Sequence, residues 1–370
     1  MRKVNFTRVL AFSLHSWLGL ISGIFLLLLG LSGSALVFLK ETDHFINADL
    51  LQVSPTGEPL PLDTIYRKIG RQHPNLTGIA WLNPNAAKEE AYEFRLYQND
   101  GKISTYDLGM MSINPYSGRI LRDGNLKDFN PSFMNWILQF HWSFQLGLPG
   151  LLLATLFGIT MLLSTFTGLI IYRKYIWKVF SFQVKMKWTN WRTISSDLHR
   201  VVGVWALFFN VVIFFTGFWM NKFSFDTSYW KKQTVSAPAN VLADQSADQM
   251  FQTARNAMPD LIPQNVYLPT QAEKSFRLSG PLKDQSPFFY SGNTVSINPV
   301  TGKVSKMERL TDKGFMEKVE ATFFPLHVGN FGGIPVKVLY VIIGLLPGLL
   351  SITGALLWWR KVKKRYNWAN

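Results

Sequence analysis

The chain has 370 residues, 48% of them hydrophobic and 15% aromatic, with a formal net charge of +15 and no cysteine. Without thiols, disulfide-stabilised folding, thiolate catalysis and iron–sulfur ligation are all excluded. In a soluble protein such a positive surplus points to nucleic acid, but here the basic residues flank apolar segments and read as membrane topology, so no nucleic-acid partner is expected.

Asp, Glu, Lys and Arg are absent from Val9 to Leu39, from Pro131 to Tyr172, from Val201 to Asn221 and from Val338 to Trp359. About 20 apolar residues span a bilayer as a helix. Transmembrane helices are therefore predicted at 17–39, 149–172, 201–221 and 338–359. The N-terminus has the charge of a signal peptide, but its long apolar run and the lack of a small-residue cleavage site predict a retained anchor. Arg2, Lys3 and Arg8 precede the first span. Arg173, Lys174, Lys178, Lys185, Lys187 and Arg192 lie between the second and third, and Arg360, Lys361, Lys363, Lys364 and Arg365 follow the fourth. The positive-inside rule puts these groups in the cytoplasm, in a multi-pass inner-membrane protein with both termini inside and two long periplasmic segments.

The first long segment predicts a helix over 65–72 and strands over 77–82, 91–97 and 103–113, with turns at Asn99–Gly101 and Pro115–Gly118. The second predicts a helix over 249–258 and strands over 265–268, 274–278 and 294–297 before a turn at Pro299–Gly302. Both read as small α+β modules without a catalytic triad, a Walker loop or a zinc motif. No catalytic residue is named.

An internal repeat organises these elements. His15, Gly19, Phe25 and Gly33 recur at His199, Gly203, Phe209 and Gly217, and the stretch Ser112–Gly118 recurs at Ser296–Gly302, all shifted by 184 positions. His141, Gly147, Gly158, Thr167 and Gly168 recur at His327, Gly333, Gly344, Thr353 and Gly354, shifted by 186. Agreement over such different residue types indicates tandem duplication. With two spans per half, the copies are parallel and related by an axis along the membrane normal, which predicts a four-transmembrane-helix bundle carrying two extracytoplasmic α+β domains. The chain divides into 1–45 (N-terminus and first span), 46–130 (first outer domain), 131–175 (interfacial segment and second span), 176–197 (cytoplasmic loop), 198–222 (third span), 223–314 (second outer domain) and 315–370 (interfacial segment, fourth span and tail). Pro149 and Gly150 are expected to break the long apolar stretch after His141.

Of six histidines, four occupy repeat-related positions at segment edges. The repeat sets His15 against His199 near the cytoplasmic face and His141 against His327 near the outer face. Imidazoles facing one another in a bundle can be axial ligands of b-type haem, which needs no cysteine; they can also be amphipathic rings anchoring helices at the interface. Gly19 and Gly33, with Gly203 and Gly217, leave room beside His15 and His199 for a macrocycle or for close helix packing. Arg200 could neutralise a propionate or mark topology, and Asp197 could orient an imidazole or cap a helix. Phe25, Phe209, Trp205 and Phe215 could shorten an electron path or simply pack. His44 and His73 fall outside the repeat and read as exposed polar residues.

The opening LHSWLGLISGIFLLLLGLSGSALVF, its repeat LHRVVGVW, the outer motifs SINPYSGRI and SINPVTGKV, and HVGNFGG before the fourth span together resemble the bacterial PepSY-associated transmembrane family over nearly the whole chain. The resemblance implies PepSY modules at about 60–122 and 245–308. One branch is similar to ferric-siderophore reductases with two b-type haems, which makes His15, His199, His141 and His327 the candidate iron ligands. Ferric siderophores or other ferric chelates become the implied acceptor. With no flavin or nicotinamide fingerprint, a cytoplasmic protein or a quinol becomes the donor. PepSY modules also regulate peptidases, so a non-enzymatic membrane regulator or binding protein stays open. So does a transporter of iron or siderophore, favoured by the repeats and disfavoured by the lack of a charged mid-membrane site.

Overall fold

The computed structural model describes residues 6–98, 110–123, 129–231, 239–290 and 292–366. Arg2, Lys3, the Asn99–Gly101 turn and residues 103–109 of the predicted third strand lie outside the described residues, as do the side chains of Lys364 and Arg365. Helices of six residues or more are numbered in chain order: α1 Phe6–Leu36, α2 Leu39–Ile46, α3 Leu62–Gln72, α4 Phe129–Ser143, α5 Gly147–Tyr172, α6 Trp191–Trp205, α7 Leu207–Asn221, α8 Ala247–Ala257, α9 Phe315–Glu320, α10 Phe323–Val328 and α11 Gly333–Tyr366. The strands are β1 Leu76–Trp81, β2 Tyr92–Gln98, β3 Met110–Ile113, β4 Ile120–Asp123, β5 Asn265–Leu268, β6 Phe276–Ser279, β7 Thr294–Ile297 and β8 Val304–Glu308. Two compact units result: a helical unit of residues 1–38, 140–225 and 326–370, and a sheet unit of residues 39–139 and 226–325.

Among the described residues of the helical unit, four stretches are long and apolar enough to cross a bilayer: Phe6–Leu36, Gly147–Tyr172, Leu207–Phe225 and Gly333–Lys363. The chain is a multi-pass membrane protein. α1 packs on α11 and α5, α5 on α7, and α6 on α11. Small residues permit these contacts. A Cβ on Gly30 would meet the Gly344 carbonyl oxygen at 2.6 Å, and one on Gly158 would meet Phe218 Cβ at 3.3 Å. Close backbone approach of this kind replaces the hydrophobic driving force that helices lack in lipid.

Several boundaries differ from the sequence expectation. α1 begins at Phe6 rather than 17, so His15 lies well inside the helix. The predicted third span, 201–221, falls on two helices, α6 and α7, meeting at Ala206; the apolar stretch long enough to cross starts at Leu207, and His199 sits on α6 before it. Pro149 does not break the chain after His141. The break falls at Phe144, Gln145 and Gly147, whose φ values are 50°, 61° and 60°. Pro149 occupies the first turn of α5, where its missing N–H leaves no hydrogen bond unmade. In the second half, Gly329 and Gly333, with φ of 72° and 64°, turn the chain between α10 and α11, and Pro335 takes the same place as Pro149.

The sheet unit carries one antiparallel sheet in the order β4-β3-β2-β1-β5-β6-β7-β8. Among the described residues, the segments expected as separate domains thus contribute four strands each to a single sheet. β1 and β5 join them through Ile79↔Leu268, Ala80↔Tyr267 and Trp81↔Val266, pairing backbone groups that would otherwise lie on two open edges. Alternate side chains of β5 and β7 point into a core with Ile65, Tyr66 and Ile69 of α3 and Met250 and Ala254 of α8. The two helices cap each other: Asp248 accepts from Leu62 N at 2.8 Å and Asp63 N at 2.9 Å, while Asp63 accepts from Ala247 N at 3.0 Å. The Tyr66 hydroxyl donates to the Pro269 carbonyl and accepts from Ala243 N, and burial pushes its pKa up to about 12.

β4 and β8 were not predicted. β8 is almost wholly exposed, so no apolar alternation marks it. Each follows a turn built alike in both segments. Asn114 Oδ1 accepts from Tyr116 N and Ser117 N, and Asn298 Oδ1 accepts from Val300 N and Thr301 N. Gly118 and Gly302 close the turns at φ 67°, a conformation open to residues without a Cβ.

Candidate functional site

The helical unit brings the four repeat-related histidines together as two pairs. The rings of His15 on α1 and His199 on α6 have centroids 6.0 Å apart at 77°. Those of His141 on α4 and His327 on α10 are 6.3 Å apart at 54°. All four are partly buried.

A glycine on a neighbouring helix faces the edge of each ring. A Cβ at Gly168 would stand 3.2 Å from His15 Cε1 and one at Gly354 3.3 Å from His199 Cε1; at Gly33 and Gly217 the distances to His141 and His327 Cε1 are 2.8 and 3.1 Å. Gly33 and Gly217 therefore serve the second pair, not the first as the helical-face argument expected. From His15 to Gly33 is eighteen positions along α1, about 27 Å at 1.5 Å per residue. Gly19 does leave open space, since a Cβ there would meet nothing within 4 Å. A cavity of about 240 Å³ beside the first pair is lined by His15, His199, Gly19, Gly203, Arg200 and Lys361, among others.

The other ring nitrogen, Nδ1, is held in every case. His199 Nδ1 lies 3.0 Å from Thr353 Oγ1, His141 Nδ1 3.0 Å from Ser32 Oγ and His327 Nδ1 3.0 Å from Thr216 Oγ1. His15 Nδ1 donates to the Ser164 carbonyl at 2.9 Å and lies 3.3 Å from Thr167 Oγ1. The hydroxyl residue immediately precedes the glycine each time: Ser32-Gly33, Thr167-Gly168, Thr216-Gly217 and Thr353-Gly354. Sequence reasoning missed this pairing of roles, although the repeated Ser/Thr-Gly dipeptide was its visible signal.

Two nitrogen donors per site are too few to close a structural zinc site, which takes four protein ligands. Among the described residues, no group of three or more His, Cys, Asp or Glu is placed to hold a metal ion. The donor set instead suits a metal whose remaining positions are filled by a non-protein ligand. Imidazoles bound on opposite sides of one metal at ~2 Å each put their ring centroids ~6 Å apart, as both pairs are.

The remaining candidates resolve differently. Asp197 pairs with Arg200 and accepts from Lys187 N at 3.0 Å; it makes no hydrogen bond to His199. It is also not the helix cap, since Asn190 accepts from Arg192 N and Thr193 N. Phe25 stacks on Phe157 at 4.2 Å and 23°, whereas Trp205 packs against Phe180 and Phe182, and Phe209 against Phe208. Phe215 lies against Trp219.

His44 and His73 are not the exposed polar residues expected. His44 Nε2 lies 3.0 Å from Glu93 and His73 Nε2 3.1 Å from Asp123. Nothing in the local sequence signals these partners, which come from strands β2 and β4. Glu93 and Asp43 flank Arg122, whose side chain is 0% exposed and whose Nη1 donates to both Asp43 oxygens at 2.9 and 3.1 Å. The hydrogen bond to Glu93 raises the His44 pKa. Burial works against the Glu93 carboxylate, but His44 and Arg122 outweigh it and hold its pKa below the usual value. This cluster ties α2 to the sheet.

Residues 12–361 match the family model described as the PepSY-associated TM region, and the chain belongs to that family. No curated protein matches it.

Proposed function

We propose that this member of the PepSY-associated transmembrane family is an inner-membrane oxidoreductase that carries electrons through two b-type haems to a ferric chelate, such as a ferric siderophore, on the periplasmic side. The observation that carries this reading is the pair of imidazole pairs, each at metal-bridging separation and each cradled by glycine. A haem between the rings of each pair would supply reversible one-electron Fe(III)/Fe(II) chemistry.

The chain's own part is to hold, space and insulate. α1 bears His15 and also Ser32, which anchors His141, and these lie seventeen positions or about 25 Å apart along the helix. That spacing is close to the ~30 Å hydrocarbon core, so one pair would serve each face. Phe25, stacked on Phe157, stands between them in the sequence of α1 and would place polarisable rings in the gap. Arg200 and Lys361, lining the first cavity, would offer positive charge to propionates. With the basic flanks cytoplasmic, the first pair faces the donor, a cytoplasmic protein or a quinol, and the second faces the acceptor. Reduction would release iron, because hard oxygen chelators hold Fe(II) far less tightly than Fe(III). The repeat register and the mirrored strand order of the sheet support an origin of the two halves by tandem duplication.

Absorption spectra of the purified protein, oxidised and dithionite-reduced, test this reading. A Soret band, a reduced α-band and reoxidation on mixing with ferric chelates are expected. A haem-free protein from haem-replete cells would refute it and favour a regulator or transporter.

A further inference from the structure

Five hydroxyls lie beside the imidazoles, Ser164 Oγ standing 3.3 Å from His15 Nδ1, and the four that precede a glycine have their protons engaged elsewhere. Ser32 donates to the Leu28 carbonyl at 2.8 Å, Thr167 to Leu163 at 2.9 Å, Thr216 to Val212 at 2.7 Å and Thr353 to Leu349 at 2.8 Å. A hydroxyl has one proton to give. Once it is bonded to the carbonyl a turn earlier, the oxygen can only accept from its second neighbour, the imidazole Nδ1. At His15 the same conclusion follows independently, because the Ser164 carbonyl beside Nδ1 has no proton to offer.

We infer that Ser32, Thr167, Thr216 and Thr353 are positioning residues that hold the four imidazoles as the Nδ1–H tautomer and so present the Nε2 lone pair for metal ligation. The inference rests on the haem reading only for the identity of the metal; the tautomer follows from the hydrogen bonds of this chain. The opposite tautomer would set an Nδ1 lone pair against a hydroxyl lone pair at 3.0 Å, leaving the ring nitrogen unsatisfied or costing the hydroxyl its bond to the helix carbonyl. Serine at 32 and threonine at the other three positions share the hydroxyl and not the methyl, so the hydroxyl is the functional part. The following glycine lets the ring sit close enough to reach it. One dipeptide thus sets both the orientation of a ring and the nitrogen it offers, as outer partners of metal-bound histidine do elsewhere.

The test uses the full-length chain in detergent with ¹⁵N-labelled histidine, prepared haem-free, and reads imidazole tautomers from long-range ¹H–¹⁵N correlations. Four rings with unprotonated Nε2 are expected. Thr353→Val should release His199 into a mixture of tautomers, and Thr353→Ser should restore it. Titration with hemin should then show ~10- to 100-fold weaker binding at the altered site in Thr353→Val and near-native binding in Thr353→Ser. Nε2–H rings in the unmodified protein, or Thr353→Val with unchanged tautomer and hemin affinity, would overturn the inference. Should Thr353→Val not fold, the unmodified spectrum and Ser32→Ala, read at His141, decide in the same way. Nδ1–H rings in a protein that takes up no hemin would sink the haem reading and leave this inference standing.

Discussion

Replacing each cradle glycine by alanine should damage the sites in an order set by the space available. Carbon atoms in contact sit ~3.5–4.0 Å apart. With 2.8 Å on offer, Gly33→Ala must drive the His141 ring back by at least about 0.7 Å. That motion stretches the 3.0 Å contact with Ser32 past the ~3.2 Å range of a good hydrogen bond. Gly354→Ala, with 3.3 Å available, asks only about 0.2 Å of His199. Gly217→Ala and Gly168→Ala fall between, at 3.1 and 3.2 Å. Overpacking costs about 1–3 kcal/mol, offset by the ~1 kcal/mol that alanine gains over glycine inside a helix. The fold should therefore survive while the ring is displaced. Haem content by pyridine haemochrome, with thermal melts as control, should fall to about one haem per chain in Gly33→Ala and stay near two in Gly354→Ala. Full haem content in Gly33→Ala, or greater loss in Gly354→Ala, would refute the cradle argument.

Three further outcomes are expected. His15→Ala should remove one haem and His327→Ala the other, read as halved Soret absorbance with different remaining α-bands; retention of both haems in each variant would refute the ligand assignment. Arg122→Ala leaves Asp43 and Glu93 buried without their cation and should destabilise the sheet unit by about 3–5 kcal/mol in denaturant unfolding; a loss under about 1 kcal/mol would show that the cluster is not a structural tie. The His44–Glu93 pair should give a stability plateau. The raised His44 pKa contributes fully below its usual 6.5 and is lost as pH rises through the folded value, and the lowered Glu93 pKa contributes above 4.5 and is lost as pH falls through its folded value. Thermal melts at about pH 6 and about pH 9 should differ less in His44→Gln than in the unmodified protein; an equal difference would remove His44 from the account.

Much of this was legible in the residue order because it depends on short periods and repeated positions. Alternation showed β5 and β7 with their observed ends, and charge-free runs showed the four spans. Boundaries were less legible. Phe144 and Gln145 adopt positive φ without being glycine, so the break after His141 carries no local mark, whereas Pro149 looks like a breaker and sits harmlessly in a first turn. The exposed strand β8 and the partners of His44 and His73 were hidden because they depend on segments far away in sequence.

For the histidines, the 184- and 186-residue shifts were enough to say which imidazole belongs with which, since repeated stretches of sequence carry equivalent residues at equivalent places. Which glycine faces which ring was decided only by helix packing. Gly33 shares a helical face with His15, yet about 27 Å of α1 separates them, and the partner it meets arrives on another helix. The same holds for the hydroxyls. Composition and periodicity determine which segments enter the bilayer; the crossing of those segments decides which nitrogen each histidine has free.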